Sequence, residues 1–305
     1  MIQTVVVYSV ITPIYFISIR FTYLRLTRPC GEDMSKIIAA LLIFMVMGAI
    51  GTSMAATEVV VSGSTTLGPW GVLAADSFNS AQKDYHASVA QTGTGAGVTA
   101  IAQGNADVAM ASREITADEK KQYGDKFKET LVGYDGVCIC VSKAIYDAGV
   151  HNLTKAQVKS IYSGKVKNWK ELGGPDELIY AIAREQGSGT RDNFNTDIMG
   201  STTAETPGVN TVATGSSEVK TAITGSNKAI GYIGFSYSQS GNLGVLTIDG
   251  VTPTQDTIKS KKYPLARGLY LDTFGNVKPG AQAFIDFMLS AQGQKVGQDN
   301  GYVTL

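Results

Sequence analysis

Four short segments of this 305-residue chain bring hydroxyls, glycines and positive charge to points where a strand-like pattern gives way to a helix-like one. They are Gly63-Ser64-Thr65-Thr66-Leu67, Thr92-Gly93-Thr94-Gly95-Ala96-Gly97, Ala111-Ser112-Arg113 and Arg184-Glu185-Gln186-Gly187-Ser188-Gly189-Thr190-Arg191. The first N–H groups of a helix have no partner within it, and the helix dipole is positive at that end. Ser and Thr placed there either cap the helix or turn their hydroxyls, with those N–H groups, toward an anion. Capping is a sufficient account of the first segment taken alone. The fourth asks for more, because two arginines flank its glycine-bounded Ser188 and Thr190, and a guanidinium suits forked contacts to an oxyanion.

The same residues argue against other chemistries. The second segment imitates the Gly-x-Gly-x-x-Gly turn of dinucleotide folds, but the next strand ends in Ala111-Ser112-Arg113, where such a fold needs an acid for the ribose. The fourth lacks the Gly-Lys-Ser/Thr triplet of a P-loop. A secreted hydrolase would use Ser64, Ser112 or Ser188 as nucleophile, yet each needs a base, and His86 and His151 lie in none of these motifs. Cys138 and Cys140 alternate along one strand and read as small buried apolar residues, since no second Cys or His pair follows to complete a zinc site. The expectation is reversible capture of a small oxyanion, with no catalytic residue, no metal and no cofactor.

The elements that must position these segments alternate. Glu58 to Val61, His86 to Gln91 and Asp107 to Ala111 read as strands, with helical stretches around Trp70 to Phe78 and Val98 to Gln103 between them and a turn at Gly93 to Gly97. A βαβαβ opening implies a parallel sheet, and ligands bind such sheets at the carboxyl ends of the strands. A second α/β set follows: strands at Gly136 to Val141, Leu178 to Ala183 and Gly231 to Tyr237, helices at Lys155 to Ser160 and Arg191 to Met199. Apolar spacing at Ala283, Phe284, Phe287 and Met288 predicts one long terminal helix over Pro279 to Lys295.

Composition sets the outer bounds. With 44% hydrophobic residues the chain can bury one or two substantial cores. Lys plus Arg and Asp plus Glu stand at 26 each, so no net field points to nucleic acid and any anion site must be local. The N-terminal region differs from the rest. Met34-Ser35-Lys36, the apolar run Ile37 to Ile50 and the small residues around Ser53-Met54-Ala55 predict a secretory signal peptide over 34–55. The earlier apolar run Val5 to Ile19, with Pro13 inside it and Arg20, Arg25 and Arg28 after it, reads as an over-extended gene start or a membrane segment over 1–33. No Cys stands at the cleavage point for a lipid anchor. Export to the periplasm or outer cell surface is expected, with a tether through the N-terminal apolar segment as the variant.

Taken together, the chain from about Val59 onward resembles the phosphate-binding subunits of ABC transporters. Besides the four segments, the likeness includes Ile161-Tyr162-Ser163-Gly164-Lys165, Asn168-Trp169, Ala229-Ile230-Gly231-Tyr232, Tyr263-Pro264-Leu265-Ala266-Arg267 and Gly301-Tyr302-Val303, in family order. The resemblance implies a two-lobed periplasmic-binding-protein type II fold, with two mixed sheets flanked by helices and a hinge of two crossings near Asp135 to Cys140 and Gly231 to Tyr237. Lobe I would take 57–137 and 238–305, and lobe II 138–237. It implies that Ser64, Thr65, Thr66 and Thr94 meet Arg184, Ser188, Gly189 and Thr190 around inorganic phosphate, and Ser112 and Arg113, a hydroxyl and a guanidinium at a strand's carboxyl end, are expected to join them. Trp169 is expected to pack rather than bind. The implied partners are membrane permease subunits, with the chain a monomer. Sulfate, molybdate or tungstate would fit the same fold. Some family members carry an Asp directly after the serine of the third segment, to accept the proton of hydrogen phosphate. Here Arg113 stands there, so the acceptor is sought among Glu114, Asp135, Glu185 and Asp192.

Overall fold

The computed structural model describes residues 56–305; the expected signal peptide and the 1–33 segment lie outside the described residues. The chain begins as the alternation predicts. Strands β1 (Thr57–Gly63), β2 (Tyr85–Gln91) and β3 (Val108–Ala111) are parallel, with β1 between the other two. The helix Gly68–Ala81 carries Pro69 in its first turn, where the missing N–H costs nothing, and buries Trp70, Ala74, Ala75 and Phe78 on one face. The next helix spans Thr94–Ala102, so the expected turn at Gly93 to Gly97 shrinks to Gly93, which takes φ 94°. Gly97 belongs inside the helix for a packing reason: a Cβ there would lie 2.7 Å from the Gly63 Cα.

Strand β4 (Phe127–Ser142) is the spine of the molecule. Its first half pairs antiparallel with a late strand and its second half with the following α/β set, so the two sheets expected from the resemblance share a strand. That set comprises β5 (Asn152–Leu153), β6 (Tyr180–Arg184), β7 (Val209–Ala213), β8 (Ala229–Gly234), β9 (Leu243–Val245) and β10 (Thr247–Ile248). β11 (Ala266–Phe274) and β12 (Val303–Thr304) complete the sheet, which runs β2-β1-β3-β11-β4-β8-β6-β7, with β9 and β12 also paired to β4. β6 is parallel to β7 and β8, while β11 is antiparallel to β3 and β4.

Two large apolar cores form along this sheet, with a small third cluster at Ile101, Ala106 and Ala109. The first gathers Val59, Val61, Trp70, Phe78, Met110, Leu271, Phe284 and Met288. The second gathers the 137–141 stretch of β4 with Tyr162, Trp169, Phe194, Ile230 and Tyr232. It also takes Leu246, Ile248, Ile258, Tyr263 and Leu265, residues that the expected boundary assigned to the first. Here the chain returns to β4, with Val137 N–H donating to the Leu265 carbonyl at 2.9 Å just before β11 begins at Ala266.

Three further differences have local causes. β8 stops at Gly234 and Phe235–Ser238 turns helical, because an Asp135 oxygen accepts from the Phe235 N–H at 2.7 Å. The helix expected over Arg191 to Met199 begins at Gly189 and widens to π winding over Asn195–Met199 before Gly200 closes it with φ 94°. The terminal helix breaks at Ser290, whose hydroxyl accepts from the Gly293 N–H and starts a second helix, Ala291–Asp299. The cysteines and Trp169 lie where expected: burial pushes the Cys138 and Cys140 thiols up, and buried Trp169 donates its indole N–H to the Lys228 carbonyl at 3.0 Å.

Candidate functional site

Three segments on the first core reach the same place from different strand ends. Ser64 follows β1, and its hydroxyl accepts from the N–H groups of Thr66 and Leu67 at 3.2 and 3.4 Å, shaping the turn. Tyr237 and Tyr302 donate to the carbonyls of Thr65 and Thr66 at 2.9 and 2.8 Å, which fixes both peptides. Thr94 starts its helix, and its hydroxyl accepts from the Ser112 N–H and lies 3.3 Å from the Ser112 hydroxyl. Ser64, Thr66, Thr94 and Ser112 are all buried, while Thr65 is half-buried.

The second core supplies the opposite wall. Arg184 ends β6, with its backbone N–H donating to the Tyr232 hydroxyl, whose pKa is pushed up to about 12 chiefly by burial. Ser188 caps the next helix by accepting from Arg191 N–H at 3.3 Å. Gly189 and Thr190 then provide the first two N–H groups of that helix, which it cannot pair itself. The walls touch directly. The Thr190 and Thr66 hydroxyls are 2.9 Å apart, and the Gly95 N–H donates to the Gly187 carbonyl at 2.9 Å. Gly189 has no room for a side chain, since a Cβ would meet the Ser112 and Thr94 hydroxyls at 2.6 and 2.7 Å.

Two buried guanidinium groups flank the hydroxyls. Arg184 forks onto Glu185 at 2.8 and 2.7 Å and donates to Ser216 and Thr65 at 3.1 Å each. Arg267 forks onto Asp135 at 2.9 and 2.6 Å and donates to Thr190 at 3.0 Å, with Thr66 at 3.4 Å. Its remaining nitrogen, Nη1, is buried with no partner among the described residues. Each cation thus carries its own carboxylate, and the space between the walls is lined by dipoles rather than by excess charge. Such a setting suits an anion whose oxygens accept many directed bonds.

The structure brings together nine of the ten expected residues: Ser64, Thr65, Thr66, Thr94, Ser112, Arg184, Ser188, Gly189 and Thr190. Arg113 is the exception. Its guanidinium turns away from Ser112, forking onto Glu119 at 2.8 and 2.8 Å and donating Nε–H to Asp192 at 2.7 Å. Arg267 and Ser216 are additions. Arg267 stood within a motif, but only its antiparallel register opposite Asp135 shows where it points; nothing in the local pattern singled out Ser216. Of the four carboxylates considered as proton acceptors, Asp135 alone is buried. Glu114 is exposed and accepts from Tyr270, Glu185 holds Arg184, and Asp192 holds Arg113.

Residues 50–292 match the family model described as a PBP superfamily domain. Curated relatives narrow this. The phosphate-binding protein PstS of Bacillus subtilis is 31% identical over 255 residues, covering 83% of this chain and 82% of the relative. PstS of Staphylococcus saprophyticus is 34% identical over 267 residues, covering 81% and 80%. The chain belongs to the PBP superfamily and, within it, to the family of these phosphate-binding PstS proteins. Among solved structures, a Clostridium perfringens protein crystallised with bound phosphate superposes with a TM-score of 0.75 at 34% identity, over 82% of this chain and 100% of that one. An ABC-type phosphate transport receptor from Vibrio cholerae gives 0.67 at 29%, over 81% and 100%.

Proposed function

We propose that this chain binds inorganic phosphate between its two walls, outside the cytoplasmic membrane, and delivers it to the permease subunits of an ABC importer. The observation that carries the reading is the buried Arg267, whose Nη2 reaches the Thr190 and Thr66 hydroxyls while its Nη1 has no partner among the described residues. An unpaired buried cationic donor is costly, and an oxyanion satisfies it. The family, whose relatives are named for phosphate, supports the same ligand. The hydroxyls of Ser64 and Ser188 accept from backbone N–H groups, and that of Ser112 neighbours Thr94. This is a binding constellation, and the reading is that of a non-enzyme. The two cores act as lobes that ligand draws together, and the chain works as a monomer without nucleic acid.

Of the four acids considered, Asp135 alone is buried, but its oxygens already accept from Arg267 and the Phe235 N–H, so a preference for hydrogen phosphate over sulfate rests on hydroxyl and backbone acceptors. The test is calorimetry on the chain from Ala56 onward, titrated in turn with phosphate, sulfate and molybdate. Phosphate is expected to bind most tightly. Tighter sulfate or molybdate binding overturns the ligand, and sustained hydrolysis of a generic phosphate ester overturns the reading as a non-enzyme.

A further inference from the structure

Arg113 directly follows a cage residue, yet it spends its guanidinium elsewhere. Glu119, which fixes it, is itself held rigidly: the Thr116 N–H donates to Glu119 at 2.8 Å, and the Thr116 hydroxyl accepts from the Glu119 N–H at 3.1 Å, closing a capping box. Burial works against the Glu119 charge, but Arg113 and Thr116 hold its carboxyl below the usual range. The pair Arg113–Glu119 therefore belongs to the first core. The third contact does not. Asp192 lies on the helix that begins at Gly189, two residues beyond Thr190 of the opposite wall, and accepts Arg113 Nε–H at 2.7 Å. Beside it, Asn193 Nδ2 donates to the Ser112 carbonyl at 2.9 Å and to the Gly189 carbonyl at 2.7 Å.

Two clefts open between the walls here, of about 520 and 430 Å³, and Arg113, Thr116, Asp192 and Thr202 line both. The second cleft continues to Arg267. The ion pair thus lines both clefts, one residue from Ser112 on one wall and two from Thr190 on the other.

We propose that Arg113 and Asp192 form a latch across the mouth of the phosphate site, so that Arg113 governs release of the anion without touching it. The inference rests on phosphate binding as read above. The asymmetry of the contacts suits a latch. When the walls part, Arg113 keeps its fork on Glu119, so a single ion pair is broken and only Asp192, in the first turn of its helix, loses its cation. The latch therefore holds the closed arrangement at modest cost and opens without a large barrier. It also gives Arg113, at the position where some family members carry an Asp, a task other than contacting phosphate.

Stopped-flow kinetics of phosphate binding to the parent chain, Asp192→Asn and Asp192→Glu test this. A latch acts after the anion has docked, so Asp192→Asn should release phosphate about ten-fold faster with association altered by less than about two-fold. Asp192→Glu restores the ion pair and should bring release back toward the parent rate. Because Asp192 also lies in a helix first turn, where an acid stabilises the helix, the melting temperature without phosphate is measured in parallel. The latch predicts little change there and a smaller gain on adding phosphate. Unchanged release from Asp192→Asn overturns the latch alone, as does an equal loss in association or in ligand-free melting. A parent chain that binds no phosphate overturns the proposed function and the latch with it.

Discussion

Two buried carboxylates stand on the ladder shared by β4 and β11, Asp135 opposite Arg267 and Asp272 opposite Glu129. At the first, the register places opposite charges side by side, and every oxygen of Asp135 has a donor: Arg267 twice, and the Phe235 N–H. At the second, the register places like charges side by side, and both Asp272 oxygens lack a partner among the described residues. Burial, with Glu129 adding to it, pushes the Asp272 carboxyl well above the ordinary range. One strand pair thus buries acid in two ways, as a neutralised ion pair next to converging hydroxyls and as a carboxyl driven toward its neutral form. The lesson is that burial of charge does not mark the site. What marks it is a charge already balanced, with donor capacity left over at Arg267 Nη1.

Removing the balance should have the largest effect. Arg267→Met strips Asp135 of its cation and leaves it the Phe235 N–H alone, a loss that typically costs about 3–5 kcal/mol when one partner of a buried pair is removed. Thermal melting should fall accordingly, and calorimetry should show phosphate binding lost. Arg267→Met with Asp135→Asn separates the two roles: stability should recover in part while binding does not. Recovered binding would mean that Arg267 serves the fold alone.

Much of this region was legible in the chain, and the missing part has a plain cause. The β1, β2 and β3 strands and the hydroxyl segments after them are local signals, each a short apolar run followed by Gly, Ser or Thr, and they lie where predicted. Arg184 and Ser188 to Thr190 likewise follow from one uninterrupted stretch. The β4–β11 pairing joins residues more than a hundred positions apart. No local pattern reveals that Arg267 lies opposite Asp135, or that Gly133 to Gly136 continues a strand begun at Phe127. Arg113 shows the converse failure. Its neighbour Ser112 suggested a ligand contact, but Glu119, six residues on in a capping box, competes for the guanidinium and wins. The helix break at Ser290 and the change of winding at Asn195 were hidden for a similar reason, because apolar spacing persists through both.

A smaller effect of opposite sign is expected at the other end of the ladder. Asp272→Asn keeps the shape and removes the titrating group. Because the folded pKa is raised, the folded chain holds this proton to higher pH than the unfolded chain does. The stability attributable to Asp272 is therefore complete below the unfolded Asp value of about 3.9 and declines as pH rises through the folded one. The Asn variant should accordingly be more stable than the parent at pH 7, by no more than the ~4 kcal/mol that three pH units above the ordinary value allow, and no different at pH 3. Urea unfolding at both pH values measures this. A gain independent of pH would mean that packing, not ionisation, is responsible, and a loss at pH 7 would mean that the carboxylate has a partner.

The smallest effect distinguishes hydroxyls from charge at the cage itself. The Thr190 hydroxyl lies 2.9 Å from that of Thr66 and accepts from Arg267 Nη2 at 3.0 Å, so it holds the two walls together and orients the guanidinium. Thr190→Val deletes the hydroxyl at nearly constant volume and leaves the Arg267–Asp135 fork intact. One neutral hydrogen bond contributes about 1 kcal/mol net, so phosphate affinity should fall about five-fold, by less than with Arg267→Met. Thr190→Ser keeps the hydroxyl and should bind close to the parent, which separates loss of the bond from loss of the methyl contact. Affinity unchanged in the Val variant would assign the contrast between the two ends of the ladder to the ion pair alone. A loss as large as that of Arg267→Met would make the hydroxyl array the main source of affinity, with Arg267 serving chiefly to hold it in place.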